Sequence, residues 1–243
     1  MTGIMEVLEQ WFRVWFFPYA VVGLAATILL YVFSLRLSAR WPWLHPVFIP
    51  SLGLIAAIVV FRIPREAYEA RGKLLTVWLG PSTVALAVPV YKHARMIRKH
   101  LAAVCFGVAV GTLSAAIVSA ALMLPWTRDA ALIWSVAVKS VTSPIAMELS
   151  RALGGMPELT VAVTVLTGLV GSWTGRRILR LFRVRDEAAV GTAIGVTSHG
   201  IGTGRLMRDS EYAGSFSTIG MGLAGIFLSL VTAAVVLLMG LWG

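Results

Sequence analysis

Long uncharged stretches recur along the chain, separated by short segments that hold most of its charged residues. Each stretch covers at least 17 residues, and an α-helix needs roughly 17–25 residues to cross about 30 Å of hydrocarbon. The stretches are Val14–Leu35, Trp41–Phe61, Leu74–Tyr91, His100–Thr127, Leu159–Gly175, Ala188–Gly204 and Tyr212–Gly243. The pattern predicts an all-α, polytopic integral membrane protein with about seven transmembrane helices, in one transmembrane domain covering 1–243.

The segment between Asp129 and Leu159 does not fit a straight crossing. Lys139 would lie near the middle of the membrane, which costs roughly 2.5–3.5 kcal/mol, and Pro144 would interrupt the helix. We therefore expect a re-entrant helical hairpin that is unwound between Lys139 and Pro144, in addition to the seven crossings.

Two of the apolar stretches contain helix breakers. Gly80 and Pro81 lie near the middle of the third stretch, which predicts an unwound segment near Gly80. The sixth stretch has five glycines between Gly191 and Gly204, so its second half is not expected to be a regular helix. For Gly191 and Gly195, close helix packing alone is the simpler interpretation.

A shift of 115 residues superposes several short matches, including Gly80 on Gly195 and Arg62-Ile63 on Arg177-Ile178. Transporters are commonly built from repeated halves, and the shift defines possible halves at 14–124 and 130–243. If the Lys139 segment is a hairpin, the two halves are inverted in the membrane.

Composition agrees with the membrane assignment, because 13% of the residues are charged and 58% are hydrophobic. The net charge of +10 comes largely from basic clusters, at Lys92–Lys99 and Arg176–Arg185. Basic residues between apolar stretches indicate contact with anionic lipid on the cytoplasmic side and give no reason to expect nucleic-acid binding. A single cysteine excludes an internal disulfide.

Polar residues at membrane depth are concentrated beside the helix breakers. A discontinuous helix exposes backbone N–H groups, and the partial positive charge of a helix N-terminus suits a small anion. The expected substrate-binding residues are Ser82, Thr83, Lys139, Ser140, Thr142, Ser143, Ser198, His199, Thr203 and Arg205. The alternatives are that the hydroxyls only bond neighbouring helices, that Lys139 extends to the membrane surface, and that His199 is a structural residue that hydrogen-bonds a backbone carbonyl.

Titratable groups at or near membrane depth are the candidates for proton coupling. His199, Glu148 and Glu211 are these candidates, although Glu211 is expected at an interface, paired with Arg205 or Arg208. The sequence has no arrangement typical of a hydrolase triad and no nucleotide-binding loop, so we expect no enzyme activity, no catalytic residues, no cofactor and no metal.

Four motifs together resemble the LrgB/CidB family over about Leu44 to Leu238. They are LGPSTVALAVPVYK, KSVTSPIAMELSRALGG, TSHGIGTGR and MGLAGI. The chain departs from the family at Gly200 and Gly204, where the family usually has alanine. The family is described as antiholin-like and linked to murein hydrolase control, and it is similar to the C-terminal half of the plastid glycolate/glycerate transporter.

The resemblance implies a multi-pass protein of the bacterial cytoplasmic (inner) membrane and leaves two functions open. One is a transporter of small monocarboxylate anions of the pyruvate, lactate or glycolate type, linked to autolysis. The other is an antiholin-like regulator that acts by association with a small LrgA/CidA-like membrane protein, without transport. The expected partners are that protein, the carboxylate anions, anionic lipid and a second copy in a homodimer.

Overall fold

The computed structural model describes residues 17–41, 46–60, 77 and 79–242. Within these ranges all regular secondary structure is helical, which confirms the all-α prediction. The chain divides into two compact units, 1–83 and 84–243, which are described separately. The proposed repeat halves, 14–124 and 130–243, stay a prediction.

The first unit contains two helices that pack on each other. Helix α1 spans Phe17–Arg40, which extends beyond the first predicted crossing, and helix α2 spans Phe48–Val60, within the second. Gly53 of α2 lies opposite Leu30 of α1, so the absent side chain lets the two helices approach closely.

The third apolar stretch is interrupted at Leu86, six residues after Gly80. Helix α3 (Leu79–Ala85) begins beside Gly80, and the interruption falls at Leu86, before helix α4 (Ala87–Lys92). Pro89 has no N–H to donate to the carbonyl of Ala85, which accounts for a break at this place. Gly80 and Pro81 lie in the first turn of α3, where proline is well tolerated. Most residues just before α3 lie outside the described residues, so the unwound segment near Gly80 stays a prediction.

Three long helices form the frame of the second unit. They are α5 (Ala94–Met123), α8 (Pro157–Leu181) and α10 (Glu211–Trp242). Among the described residues, α5 and α10 are long and apolar enough to cross a membrane. The predicted number of seven crossings is not confirmed.

Two short helices between α5 and α8 form a hairpin, which we call hairpin 1 (130–152). Helix α6 (Ala130–Ala137) leads through a link at 138–142 into helix α7 (Ser143–Ala152). The residues after α7 return to α6, because the N–H of Met156 donates to Ser135 Oγ over 2.7 Å. The chain thus reverses direction around Lys139, and Pro144 lies in the first turn of α7.

Helix α9 (Glu187–Asp209) also reverses, at His199, and we call it hairpin 2. His199 has φ 49° and ψ −139° inside an otherwise helical segment. Ser210 Oγ donates to Glu187 Oε2 over 3.0 Å, whereas a straight helix would separate these residues by roughly 35 Å. The predicted crossing at Ala188–Gly204 is therefore wrong, because the chain turns back at its middle.

The two hairpins approach each other from opposite ends of the frame. Hairpin 2 packs on the first half of α10, where Gly195 faces the backbone of Ser217. Hairpin 1 packs on the second half of α10, where Leu228 joins Val141 and Leu149 in one apolar cluster. Because α10 runs continuously between these contacts, the hairpins meet near its middle.

The two basic clusters lie at the same end of the second unit. The first belongs to the start of α5 and the second to the end of α8 and the residues that follow. His100 of α5 and Asp186 before α9 line one groove, which places these helix ends side by side. Whether this end faces the cytoplasm stays a prediction.

Candidate functional site

The tips of the two hairpins are in direct contact. His199 Nε2 donates a hydrogen bond of 3.0 Å to the backbone carbonyl of Lys139, 60 residues earlier in the chain. The nitrogen is the donor because a carbonyl oxygen only accepts. The structure thus brings together two of the predicted polar segments, from separate elements, at one place.

Each hairpin presents a helix N-terminus at this place. Helix α7 begins at Ser143, and the Thr142 side chain makes no capping bond to it. The return arm of hairpin 2, residues 200–209, begins directly after His199. Both arms start with backbone N–H groups that lack intrahelical acceptors, so both contribute partial positive charge to the tip region.

The predicted residues of hairpin 1 lie in or beside its link. Ser140 is buried, whereas Lys139, Thr142 and Ser143 are half-buried. The link therefore offers one cationic side chain and three hydroxyls next to the N-terminus of α7.

The predicted residues of hairpin 2 form a buried hydroxyl chain around His199. Thr203 Oγ1 donates to the His199 carbonyl over 2.6 Å and lies 2.8 Å from Ser217 Oγ. Since the Thr203 proton is used, Ser217 donates to Thr203. Sequence reasoning missed Ser217, whose position opposite Gly195 on α10 depends on the reversal at His199.

Ser198 is fully buried in a slot walled by glycines. A Cβ on Gly171 of α8 or on Gly202 of the return arm would overlap its side chain. Its neighbour Thr197 is exposed, and the two hydroxyl oxygens are 3.3 Å apart. The slot holds the backbone in place just before the turn.

His199 carries two unusual features. Its φ of 49° lies in the left-handed region, which L-residues other than glycine adopt rarely and at a cost of about 1–3 kcal/mol. The residue is 4% exposed, and among the described residues its Nδ1 atom has no hydrogen-bond partner. Strain and an unsatisfied buried atom together make His199 a candidate functional position.

The other predicted residues lie further away or in the first unit. Arg205 is half-buried on the return arm, six residues and so roughly 9 Å beyond the turn. Ser82 is exposed on α3, and Thr83 belongs to the same helix. Ser82 and Thr83 therefore remain predictions.

Two of the three candidates for proton coupling are occupied in exposed ion pairs. Glu148 pairs with Arg151 on α7. Glu211 pairs with Lys92 over 2.9 Å, so the expected pairing with Arg205 or Arg208 is wrong. The reversal of α9 and the order of the helices bring the start of α10 beside α4, and sequence spacing does not reveal this proximity.

A groove of about 350 Å³ runs along the first arm of hairpin 2. It lies between α5 and α9 and extends from His100 and Asp186 at the basic end to Gly111 and Thr197. Thr197 is two residues from His199, so the groove leads toward the hairpin tips. In the part of the chain that the structure describes, no three His, Cys, Asp or Glu side chains come together as a metal site requires.

The chain matches known proteins over most of its length. The model of the LrgB-like family matches residues 27–238. The chain is 36% identical to "Uncharacterized protein YwbG" of Bacillus subtilis over 209 residues, covering 85% of this chain and 92% of that protein. It is 29% identical to "Holin-like protein CidB" of Staphylococcus aureus over 221 residues, or 90% and 96% of the two chains. No solved structure matches significantly.

Proposed function

The chain belongs to the LrgB-like family, and we propose that it carries small monocarboxylates of the pyruvate, lactate or glycolate type across the bacterial cytoplasmic membrane. The observation that carries this proposal is the contact between the hairpin tips, where His199 Nε2 meets the carbonyl of Lys139. Broken helices that meet near the middle of a frame are typical of substrate sites in membrane carriers.

The charges at the tips favour an anion. Two helix N-termini converge there, from α7 and from residues 200–209. Lys139 adds a cationic side chain, while the described carboxylates lie at helix ends or, like Glu148, in an exposed ion pair. A carboxylate placed between the tips is stabilised by both helix dipoles and by the ammonium group.

The groove along hairpin 2 supplies a route to this site. It begins at the basic end of the second unit, whose positive charge attracts anions, and ends at Thr197. Glycine and alanine make up half of its lining residues, which leaves space for a small solute. The buried position of His199 then requires the tips to separate before a substrate reaches it.

Any proton coupling of this site runs through His199. Of the three candidates, it alone lies at the tips, since Glu148 and Glu211 form exposed pairs with Arg151 and Lys92. The protonation state of its ring therefore decides whether a proton accompanies the acid.

The name of the CidB relative, a holin-like protein, favours a second function. In this alternative the chain is an antiholin-like regulator that associates with a small LrgA/CidA-like membrane protein and carries no substrate. It then needs no anion site, so the polar residues at the tips tolerate substitution. In both cases we expect contact with anionic lipid through the basic end, and a homodimer.

Uptake of labelled pyruvate and glycolate into proteoliposomes tests the proposal. The variant Lys139→Ala/His199→Ala removes the two tip side chains, and we expect uptake to fall at least about tenfold, as for the loss of ~1.4 kcal/mol of binding. The control Lys99→Ala/His93→Ala removes the same residue types from the basic end and leaves the tips intact, so uptake should fall much less than in the tip variant.

Thermal stabilisation of the purified protein by a panel of small acids gives an independent readout. Unchanged uptake in the tip variant would contradict the site. If correctly folded protein shows no uptake and is stabilised by none of the acids, the result would favour the antiholin-like regulator.

A further inference from the structure

Three buried polar atoms of the second unit have no hydrogen-bond partner among the described residues. They are Thr112 Oγ1 on α5, Thr164 Oγ1 on α8 and His199 Nδ1 in hairpin 2. Thr112 is 0% exposed and Thr164 is 2% exposed. A buried hydroxyl without a partner destabilises a fold, so two of them on separate helices require an explanation.

Threonine in a helix can satisfy its hydroxyl with the backbone carbonyl four residues earlier. Thr174 of α8 does so, because its Oγ1 donates to the Val170 carbonyl over 2.8 Å. The hydroxyls of Thr112 and Thr164 do not make this bond. They therefore remain available to a partner from another molecule.

Thr112 lies between the contacts that α5 makes with the two hairpins. One turn earlier, Val108 belongs to an apolar cluster with Val196 of hairpin 2. One turn later, Ala116 packs against the cluster that contains Val141 of hairpin 1. Because residues four apart are neighbours on one face of a helix, Thr112 lies on the face toward the hairpins, at the level where their tips meet.

Thr164 occupies the equivalent position on α8. One turn earlier, Thr160 Oγ1 lies 2.8 Å from Ser150 Oγ of hairpin 1. One turn later, a Cβ on Gly168 would lie 3.2 Å from the Ser198 carbonyl oxygen of hairpin 2. Thr164 is therefore also buried at the level of the hairpin tips.

The three unpaired atoms thus share one layer of the second unit, which we call the tip layer. An apolar cluster that includes Val108 and Phe216 lies on the side of the basic end. A second cluster, which includes Val141 and Leu228, lies on the other side. A polar layer between two apolar clusters can hold a solute away from water, where hydrogen bonds to it are strongest.

We propose that Thr112 and Thr164 donate hydrogen bonds to the bound acid in the tip layer, so that the frame helices α5 and α8 form the substrate site together with the hairpins. This inference rests on the proposed function and adds two binding residues to it. A carboxylate has about four acceptor positions, so it can accept from both hydroxyls as well as from backbone N–H groups of the hairpins. Hydrogen bonds to an ionised group are stronger than those between neutral groups.

The variants Thr112→Val and Thr164→Val test the proposal, because each replaces a hydroxyl by a methyl group of similar size. We expect titration calorimetry with pyruvate and with glycolate to give a dissociation constant about tenfold higher for each variant, equivalent to ~1.4 kcal/mol. The midpoint of thermal unfolding without acid should rise, since the variant no longer buries an unpaired hydroxyl. Weaker binding together with higher stability distinguishes a binding residue from a structural one.

Two further variants of α8 are the controls. Thr164→Ser keeps the hydroxyl and should restore most of the binding that Thr164→Val loses. Thr174→Val makes the same substitution on the same helix, where the hydroxyl bonds the Val170 carbonyl. Acid binding should therefore not change in Thr174→Val.

The outcomes separate this inference from the proposed function. If no acid binds to folded wild-type protein, the proposed function fails. If acids bind equally well to wild type and to both valine variants, the inference is wrong, the carrier stands, and the hydroxyls bond only resident water. Weaker binding with a lower unfolding midpoint also overturns the inference, because the hydroxyl then supports the fold. If one valine variant does not fold, the other decides.

Discussion

Hairpin 1 reverses the chain over the five residues 138–142, whereas hairpin 2 reverses it at the single residue His199. A link of several residues lets α6 end and α7 begin with ordinary backbone angles, helped by Pro144 in the first turn of α7. A reversal at one residue requires the left-handed φ of His199. The histidine therefore holds a strained backbone conformation at the place where its ring contacts the other hairpin.

The hairpins also differ in what holds them to α10. Hairpin 1 packs through apolar side chains, with Val141, Ala146 and Leu149 against Leu228. Hairpin 2 packs at backbone level, because Gly191 and Gly195 lie directly against the carbonyls of Ala213 and Ser217. Side chains can change rotamer, but a backbone contact leaves no adjustable atoms. We therefore expect hairpin 1 to be the arm that moves when the tips separate.

The largest expected effect follows from the backbone contact of hairpin 2. In Gly195→Ala, the new Cβ overlaps the Ser217 carbonyl, so α9 must shift away from α10. We expect a loss of about 3 kcal/mol in the free energy of unfolding, measured by chemical unfolding in detergent, together with loss of acid binding.

The matched control is Gly204→Ala in the same hairpin. Nothing lies within 4 Å of a Cβ at this position, and replacing a helical glycine by alanine stabilises by roughly 0.5–1 kcal/mol. Equal stability of the two variants would contradict the packing of hairpin 2 on α10.

The long apolar stretches of the sequence predicted the helical class and the long helices, because a stretch of 17 or more apolar residues can form few structures other than a helix in lipid. It also placed a helix break and a reversal near Lys139 and Pro144, since a charge and a proline at membrane depth both oppose a straight helix. It did not predict that Ala188–Gly204 turns back. Glycines permit many conformations, and the reversal at His199 depends on contacts with α8 and α10 that lie far away in sequence.

The candidate site was predicted in composition but not in arrangement. The segments containing Lys139 and His199 were singled out separately, because each combines polar residues with a helix breaker. Their direct contact is a tertiary result that neither segment encodes alone. Ser217 lies in a plain apolar helix and had no local signal, since its partner Thr203 reaches it only through the reversal.

The second prediction uses the groove, which accompanies the first arm of hairpin 2. Gly107 lines this groove, and nothing lies within 4 Å of a Cβ built on it. In Gly107→Leu, the Cβ meets no other atom and the rest of the side chain extends into the groove that leads toward Thr197. We expect uptake to fall about tenfold, as for a barrier raised by ~1.4 kcal/mol, while the free energy of unfolding rises by roughly 0.5–1 kcal/mol because a helical glycine is replaced.

Gly222→Leu is the control for this experiment. Gly222 is exposed on α10 and is equally open to a new side chain, but it lies outside the residues that line the groove. Normal uptake in Gly107→Leu would show that substrate reaches the tips by another route, whereas a loss in both variants would point to a general effect of bulk.

The smallest expected effect measures the strain at the turn of hairpin 2. His199→Ala and His199→Gly both remove the ring and its bond to the Lys139 carbonyl, so both should lose acid binding. They differ in one methyl group at a φ of 49°. Glycine adopts this angle without a steric cost, so we expect His199→Gly to be more stable than His199→Ala by about 1 kcal/mol.

Replacing alanine by glycine within an ordinary helix should lower stability instead of raising it. Ala193 lies in the first arm of hairpin 2, before the turn, and Ala193→Gly should lower stability by roughly 0.5–1 kcal/mol. Measured in one detergent, the free energy of unfolding should therefore be higher with glycine than with alanine at position 199, and lower with glycine than with alanine at position 193. If the glycine variant is the less stable protein at both positions, the turn at His199 is not strained. The description of hairpin 2 as a reversal at a single residue, which distinguishes it from hairpin 1, would then be wrong.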